Sequence, residues 1–288
     1  MTDTSGLQPV TVVTDSTSCL PDELLERYSI RVIPLHLLLN GRDLRDRIDI
    51  SPKEVYQLLA EGGKPPTTSA INPGEFAQVF SELAAASRAV LYVSVSQALS
   101  ATYECAQRAA EMVRSDNPGA QVEVVDSRTS CGAMGFVALE AARRAAGGGT
   151  LKEVVQEAEA LVPRVKYMCI RETLRYLMRM GRASATATES LDVRQITGLD
   201  METGRVQLLR KLNQDEDRVK ALGEMVVEMV SERQMVHAIV HFSNNRDEGE
   251  RLKRLISRHL KCAELYMSEY SPLVTCASGP LLGVGFYS

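Results

Sequence analysis

The chain of 288 residues contains no tryptophan, and aromatic residues make up only 5% of it. Single-stranded nucleic acid is held by stacking bases on aromatic rings, so this scarcity argues against such a partner. An excess of positive charge is missing too. Lys and Arg number 33 against 37 Asp and Glu, a net charge of −4, whereas a surface that coats nucleic acid is strongly basic. There is no run of about 18 apolar residues, so no membrane span is expected. The N-terminus, Met1-Thr-Asp-Thr-Ser-Gly-Leu-Gln-Pro9, lacks a basic stretch leading into an apolar one and does not read as a secretory signal. Six cysteines at 19, 105, 131, 169, 262 and 276 show neither CxxC nor CxxH spacing. They read as buried thiols in a reducing cytoplasm, with no metal site. His237 and His241 form the one close histidine pair; they fall on an expected strand and read as structural. GxGxxG, Walker A, GxSxG and HExxH motifs are all absent, so no cofactor is expected.

What is present is 44% hydrophobic residues over a length that favours two packed domains. In the first half, β-rich runs (Val10 to Thr14, Ile30 to Leu39, Ala89 to Ser94, Val122 to Val125) alternate with helical patterns. Capping boxes at Ser51-Pro-Lys-Glu54 and Thr150-Leu-Lys-Glu153 open two helices, and Asn72-Pro-Gly-Glu75 opens another to about Ala86. Further helices are expected from Pro21 to Tyr28, Ala98 to Val113 and Thr129 to Ala146. Strands alternating with helices imply parallel pairing. After Pro163 the pattern changes. A strand from Lys166 to Ile170, a short helix from Glu172 to Met180, a hairpin around Met-Glu-Thr-Gly204 and a helix from Asp215 to Ser231 point to a mixed α/β unit. Strands at Met235 to Phe242, Cys262 to Met267 and Val284 to Tyr287 complete it. The expected domains are 1–163, a parallel-sheet α/β domain, and 164–288, a mixed-sheet α/β domain.

Four junctions in the first half carry hydroxyls: Asp15-Ser-Thr-Ser18, Thr67-Thr-Ser69, Ser94-Val-Ser96 with Ser100-Ala-Thr102, and Asp126-Ser-Arg-Thr-Ser130. In a parallel sheet such loops gather outside the carboxyl ends of the strands, where helix N-termini favour an anion. Ser, Thr and Asp are also ordinary helix caps, which fits each loop taken singly. Asp15 and Asp126 fit caps or turn formers; the other reading makes them the acid and base of a phosphatase or kinase-like enzyme. Arg171, Arg175 and Arg179 recur every four residues and would form a basic stripe on one helix face, with Arg182 just past Gly181. Such a stripe reads as a solvated face or as a contact for a partner protein or a phosphate.

Several segments taken in order resemble the DegV family of bacterial fatty-acid-binding proteins. They are Thr14-Asp15-Ser16, the Val-Ile-Pro-Leu35 run, and Pro66-Thr-Thr-Ser69 followed by Pro73 and Phe76. Ser96-Gln-Ala-Leu-Ser-Ala-Thr-Tyr103 is similar to the family's SSxLSGTY, Leu174-Arg-Tyr-Leu-Met-Arg-Met-Gly-Arg182 to its LxYLxKGGR, and Gly279-Pro280 with Gly283 to its GPG tail. The resemblance implies two α/β domains enclosing one long-chain fatty acid of C16–C18, a carrier that performs no chemistry. It implies a carboxylate held by Thr68 and Ser96, with Ser69 beside them. Where the family usually has a histidine this chain has Ala277, and Ser278 is the expected stand-in. Some members hand the lipid to a separate fatty acid kinase, for which Arg175, Arg179 and Arg182 are the expected contacts. The physics agrees: about 15 methylenes gain roughly 0.8 kcal/mol each on burial, and the carboxylate must find hydroxyl or N–H donors.

Overall fold

A computed structural model describes residues 10–61, 66–69, 72–87, 89–179, 194–231 and 234–288. The first half runs β1 (Val10–Asp15), a 3-10 turn at Ser16–Ser18, α1 (Asp22–Arg27), β2 (Arg31–Ile33), β3 (His36–Leu39) and β4 (Arg42–Arg45). It continues with α2 (Pro52–Ala60), β5 (Thr67–Ser69), α3 (Pro73–Ser87), β6 (Ala89–Ser94), α4 (Thr102–Asp116), β7 (Gln121–Asp126), α5 (Cys131–Ala146) and α6 (Leu151–Leu161). A four-stranded sheet of order β2-β1-β6-β7 is parallel throughout, as the alternation implies. Both capping boxes form, with Ser51 and Thr150 accepting from the backbone N–H three residues on.

Three local expectations change. The apolar run from Ile30 to Leu39 is two strands, because Pro34 has no N–H to give a ladder. Beyond it β3 leaves the parallel sheet and pairs antiparallel with β4 and β5. Thr67–Ser69 is therefore part of a small antiparallel sheet, order β4-β3-β5, and not a strand-to-helix junction of the parallel one. The helix expected from Ala98 starts at Thr102, since the Ser96 hydroxyl accepts the Ala98 N–H at 3.2 Å and the Ser96 carbonyl accepts that of Leu99 at 2.9 Å, closing a turn first.

The second half runs β8 (Lys166–Arg171), α7 (Arg175–Arg179), β9 (Gln195–Leu199), β10 (Val206–Lys211), α8 (Arg218–Glu228), β11 (Val236–Phe242), α9 (Arg246–His259), β12 (Cys262–Glu269), α10 (Pro272–Ser278) and β13 (Leu281–Tyr287). Its six strands lie in the order β10-β9-β8-β13-β11-β12, antiparallel except for β11 with β12. The chain is thus a two-domain α/β protein with one parallel and one mixed sheet. No helix among the described residues is long and apolar enough to cross a membrane.

Two elements join the halves. Almost every residue of α5 from Cys131 to Ala142 is buried, as expected of a helix that is apolar all round. It packs in one core with Val12, Leu91 and Val93 of the first sheet and with Tyr167, Cys169, Leu199 and Ile239 of the second. Gly132 and Gly285 make the crossing possible: a Cβ on Gly285 would strike the backbone of Gly132 and Ala133. The other joining element is α10, which belongs to the second half of the sequence but docks on the first. Its Leu273 and Cys276 sit in the core of the first sheet, and the Leu273 N–H donates to buried Asp46 at 3.0 Å.

Candidate ligand-binding site

The carboxyl ends of β1, β6 and β7 are polar and buried. Thr14, Asp15, Ser16, Thr17, Ser18, Ser94, Ser96, Ser127 and Thr129 are all inside. Most of these hydroxyls are committed to the protein itself. Ser16 accepts from Leu35 N–H at 3.1 Å, while Ser94 and Ser127 donate to the Val95 and Thr129 carbonyls at 2.8 and 3.2 Å. Asp15 accepts from the Thr17 N–H at 2.9 Å, from the Thr17 hydroxyl and from the Tyr92 hydroxyl at 2.9 Å. Burial pushes its carboxyl upward against those bonds. Asp126 accepts from the Gln97 and Arg128 N–H groups at 3.2 and 2.9 Å. Both acids thus do the work of caps and turn formers.

A cavity of about 50 Å³ lies where these loops meet α10. Its apolar wall is Leu35, Val95, Leu99, Leu273, Val274 and Ala277; Thr17, Ser100 and Ser130 add hydroxyls. Ligand sites for drug-sized molecules run to about 300–1,000 Å³. This cavity is several times smaller than that. Larger hollows lie on the surface. One of about 560 Å³ runs between α8 and α9, and another of about 520 Å³ between α1, α2 and β12.

Thr68, Ser96 and Ser278 are not among the residues that line this cavity. Ser96 is fully buried beside Val95, and its hydroxyl donates to the Gly204 carbonyl at 2.9 Å. Gly204 has φ +68°, and a Cβ there would strike that hydroxyl, so the β9–β10 turn is pressed onto the β6–α4 loop. Thr68 is half-buried on β5, opposite Leu37, and β5 packs against α10. Ser278 is the half-buried last residue of α10, followed by Gly279 in a left-handed conformation against the Tyr176 ring. The side chain of Ser69 lies outside the described residues.

Arg171 is not part of a basic stripe on a helix. Arg171 closes β8 and is only 5% exposed, while the helix begins at Arg175, whose N–H is accepted by the Thr173 hydroxyl at 3.0 Å. The spacing of four spans a strand end, with Arg171 on β8 and Arg175 and Arg179 on α7. Arg175 is exposed; the Arg179 side chain and all of Arg182 lie outside the described residues. Strand alternation sets Tyr167, Cys169 and Arg171 on the face of the second sheet that meets α5, and Met168 and Ile170 on the other. Sequence reasoning missed Arg171 as an interior group; reading the period of two one residue further would have found it.

That inner face also carries the histidines. The His241 Nε2 accepts the Gly132 N–H at 2.8 Å, and burial pushes the ring down to about 3, so it is neutral. His237 stacks on Tyr287 and lies 2.8 Å from Glu264. Glu140, His237 and Glu264 present ligand atoms within 4.8 Å of one another, a grouping that sequence distance hides. Arg143 already bridges both acids, and the Tyr287 and Tyr266 hydroxyls donate to them at 2.8 and 3.0 Å. Burial raises Glu264, but Arg143 and His237 outweigh it and hold the carboxyl at about 2. This is an ion-pair network with Arg143 as its cation, whose Nε is buried without an acceptor.

The fold and the cavity define a two-domain α/β protein whose loop-lined interior lies at the carboxyl ends of a parallel sheet, the position in which such sheets hold ligands. The model of the family described as "Uncharacterised protein, DegV family" matches residues 9–288, and the chain belongs to the DegV family. It is 30% identical over 277 residues to a DegV domain-containing protein of Streptococcus pyogenes, covering 94% of each chain. Among solved structures it is similar to a DegV family protein of Thermus thermophilus described as fatty-acid-binding, with a TM-score of 0.87, 28% identity and coverage of 97% of this chain and 99% of that one. It is likewise similar to DegV of Bacillus subtilis, described as a fatty acid binding protein, with a TM-score of 0.85, 26% identity and the same coverage.

Proposed function

We propose that the chain binds a long-chain fatty acid of C16–C18 between its two domains, 1–163 and 164–288, and carries it in the cytoplasm without chemistry of its own. The observation that carries this reading is the cavity beside α10, whose lining joins apolar side chains to the hydroxyls of Thr17, Ser100 and Ser130. The fatty-acid binding described for the Thermus thermophilus and Bacillus subtilis proteins supports it. On this reading Thr68 and Ser96, with Ser69 and Ser278 beside them, hold the carboxylate, Ser96 by turning its one hydroxyl proton from the Gly204 carbonyl to the ligand, and the acyl chain packs on the apolar side chains. The helix α10 that lines this cavity is tied at its start to the first domain by the Asp46 and Cys19 side chains. The exposed side of Arg175, with Arg179 and Arg182, is the contact for a fatty acid kinase that phosphorylates the presented carboxylate.

Mass spectrometry of the gently denatured recombinant protein tests the reading. A stoichiometric C16–C18 acid is expected, and Thr68→Ala or Ser96→Ala should weaken palmitate binding about tenfold, the loss of one or two hydrogen bonds to a charged group. A protein that purifies empty and takes up no fatty acid at micromolar concentration overturns it.

A further inference from the structure

We propose that Arg171 is the residue that reads the charge of the lipid, selecting an ionised acid over a neutral molecule of the same chain length; this rests on the fatty-acid reading above. The guanidinium is only 5% exposed, and its Nε donates to the Thr197 hydroxyl at 2.9 Å. Its Nη1 is buried without an acceptor, and no carboxylate of the described residues makes an ion pair with it. Arginine does not lose its proton in a protein, so this is a permanent buried positive charge with unused donors. An apolar side chain of similar size would serve the core better. A buried charge in that condition calls for an anion that arrives from outside.

Its position fits the proposed ligand. Arg171 lies on the inner face of the second sheet, in register with Leu281 of β13. The three residues before Leu281 lead back to the end of α10, whose Val274 and Ala277 line the cavity. The start of α5 lines the same cavity through Ser130, and Cys131 follows. The strand β8 packs against α5, and Tyr167 and Cys169 on the same face as Arg171 share one core with that helix. The acids nearest in sequence are turned elsewhere: Glu172 is exposed and paired with Arg194 and Arg218. A guanidinium presents a planar fork that matches a carboxylate, and in a dry site such a bond is about twice as strong as a neutral one. A fatty alcohol offers no charge for it.

The delipidated full chain should be titrated with palmitic acid and with hexadecanol, by displacement of a fluorescent lipid, for the wild type, Arg171→Met and Arg171→Lys. The wild type is expected to prefer the acid by at least about tenfold, and Arg171→Met to bring the preference within about threefold while hexadecanol affinity holds. Arg171→Lys should keep part of the preference. The lipid-free Arg171→Met protein should unfold at an equal or higher denaturant concentration than the wild type, an outcome a merely structural arginine would not give. An acid preference that is unchanged in Arg171→Met overturns the proposal while leaving the carrier reading intact. So does a shift confined to the alkylation profile of Cys131, which would make that thiolate the arginine's partner. If Arg171→Met does not fold, Arg171→Lys decides: unchanged preference overturns the proposal, and a fall of severalfold sustains it. A wild type that binds neither lipid removes the carrier reading itself.

Discussion

On the outer face of the second sheet, Met168, Ile170, Ile196, Ala238, Val240, Leu282, Val284 and Phe286 pack against α8 and α9 with no polar group among them. On the inner face, one residue along each strand, stand Tyr167, Cys169, Arg171, Thr197 and His241, equally buried. The same backbone holds both sets, and a shift of one residue exchanges them. The outer face needs only volume and shape. The inner face needs partners: the Tyr167 and Tyr270 hydroxyls meet at 2.8 Å, Arg171 holds Thr197, and His241 takes the Gly132 N–H. Polar groups are retained in an interior at a cost, and where they all face one layer, that layer is the place to look for a ligand.

Truncation separates the two faces most strongly. Phe286→Ala on the outer face should cost about 3–5 kcal/mol of unfolding free energy, measured by urea denaturation, with palmitate affinity of the folded fraction unchanged. An altered affinity would show that the outer face reaches the ligand. A smaller effect distinguishes the faces by pH. His241 is held at about 3 by burial, below its unfolded value near 6.5. Because the unfolded chain binds a proton that the folded one refuses, stability is lost as pH falls from about 6.5 towards 3. From pH 7 to pH 5 that amounts to about 2 kcal/mol, a slope absent in His241→Gln. Equal slopes in the two proteins would mean that the ring reaches water.

Much of this was legible in the sequence. The capping boxes at Ser51 and Thr150, the strands ending at Asp15, Ser94 and Asp126, and the Gly204 hairpin are local signals, and local signals survive folding. The break at Pro34 was written in the chain as well, but a continuous apolar run hides a change of sheet. The helix α10 was missed because Pro-Leu-Val-Thr-Cys-Ala-Ser is β-rich and only seven residues long; its signals are the Ser271 cap and the Pro272 start. The site was less legible than the fold. Hydroxyls at strand ends are visible as residue types, yet which of them turn inward and which cap a neighbour depends on partners about 100 residues away, as with Ser96 and Gly204. Arg171 was misplaced for the same reason, since a strand end and a helix start share its spacing.

The finest test of the comparison concerns the tyrosine pair. Tyr167 and Tyr270 are both buried and their hydroxyls bond at 2.8 Å, so each is the other's answer to desolvation. Tyr270→Phe leaves one hydroxyl facing a ring and should cost about 0.5–1.5 kcal/mol. Adding Tyr167→Phe removes the stranded group, so the double variant should be no less stable than Tyr270→Phe alone, a coupling of about 1 kcal/mol in a double-mutant cycle read by urea denaturation. On the outer face no such coupling has a cause, because its side chains offer no hydrogen bonds to lose. If the two tyrosine substitutions simply add, the inner face is held by packing like its opposite, and the polar layer loses its claim to be anything other than core.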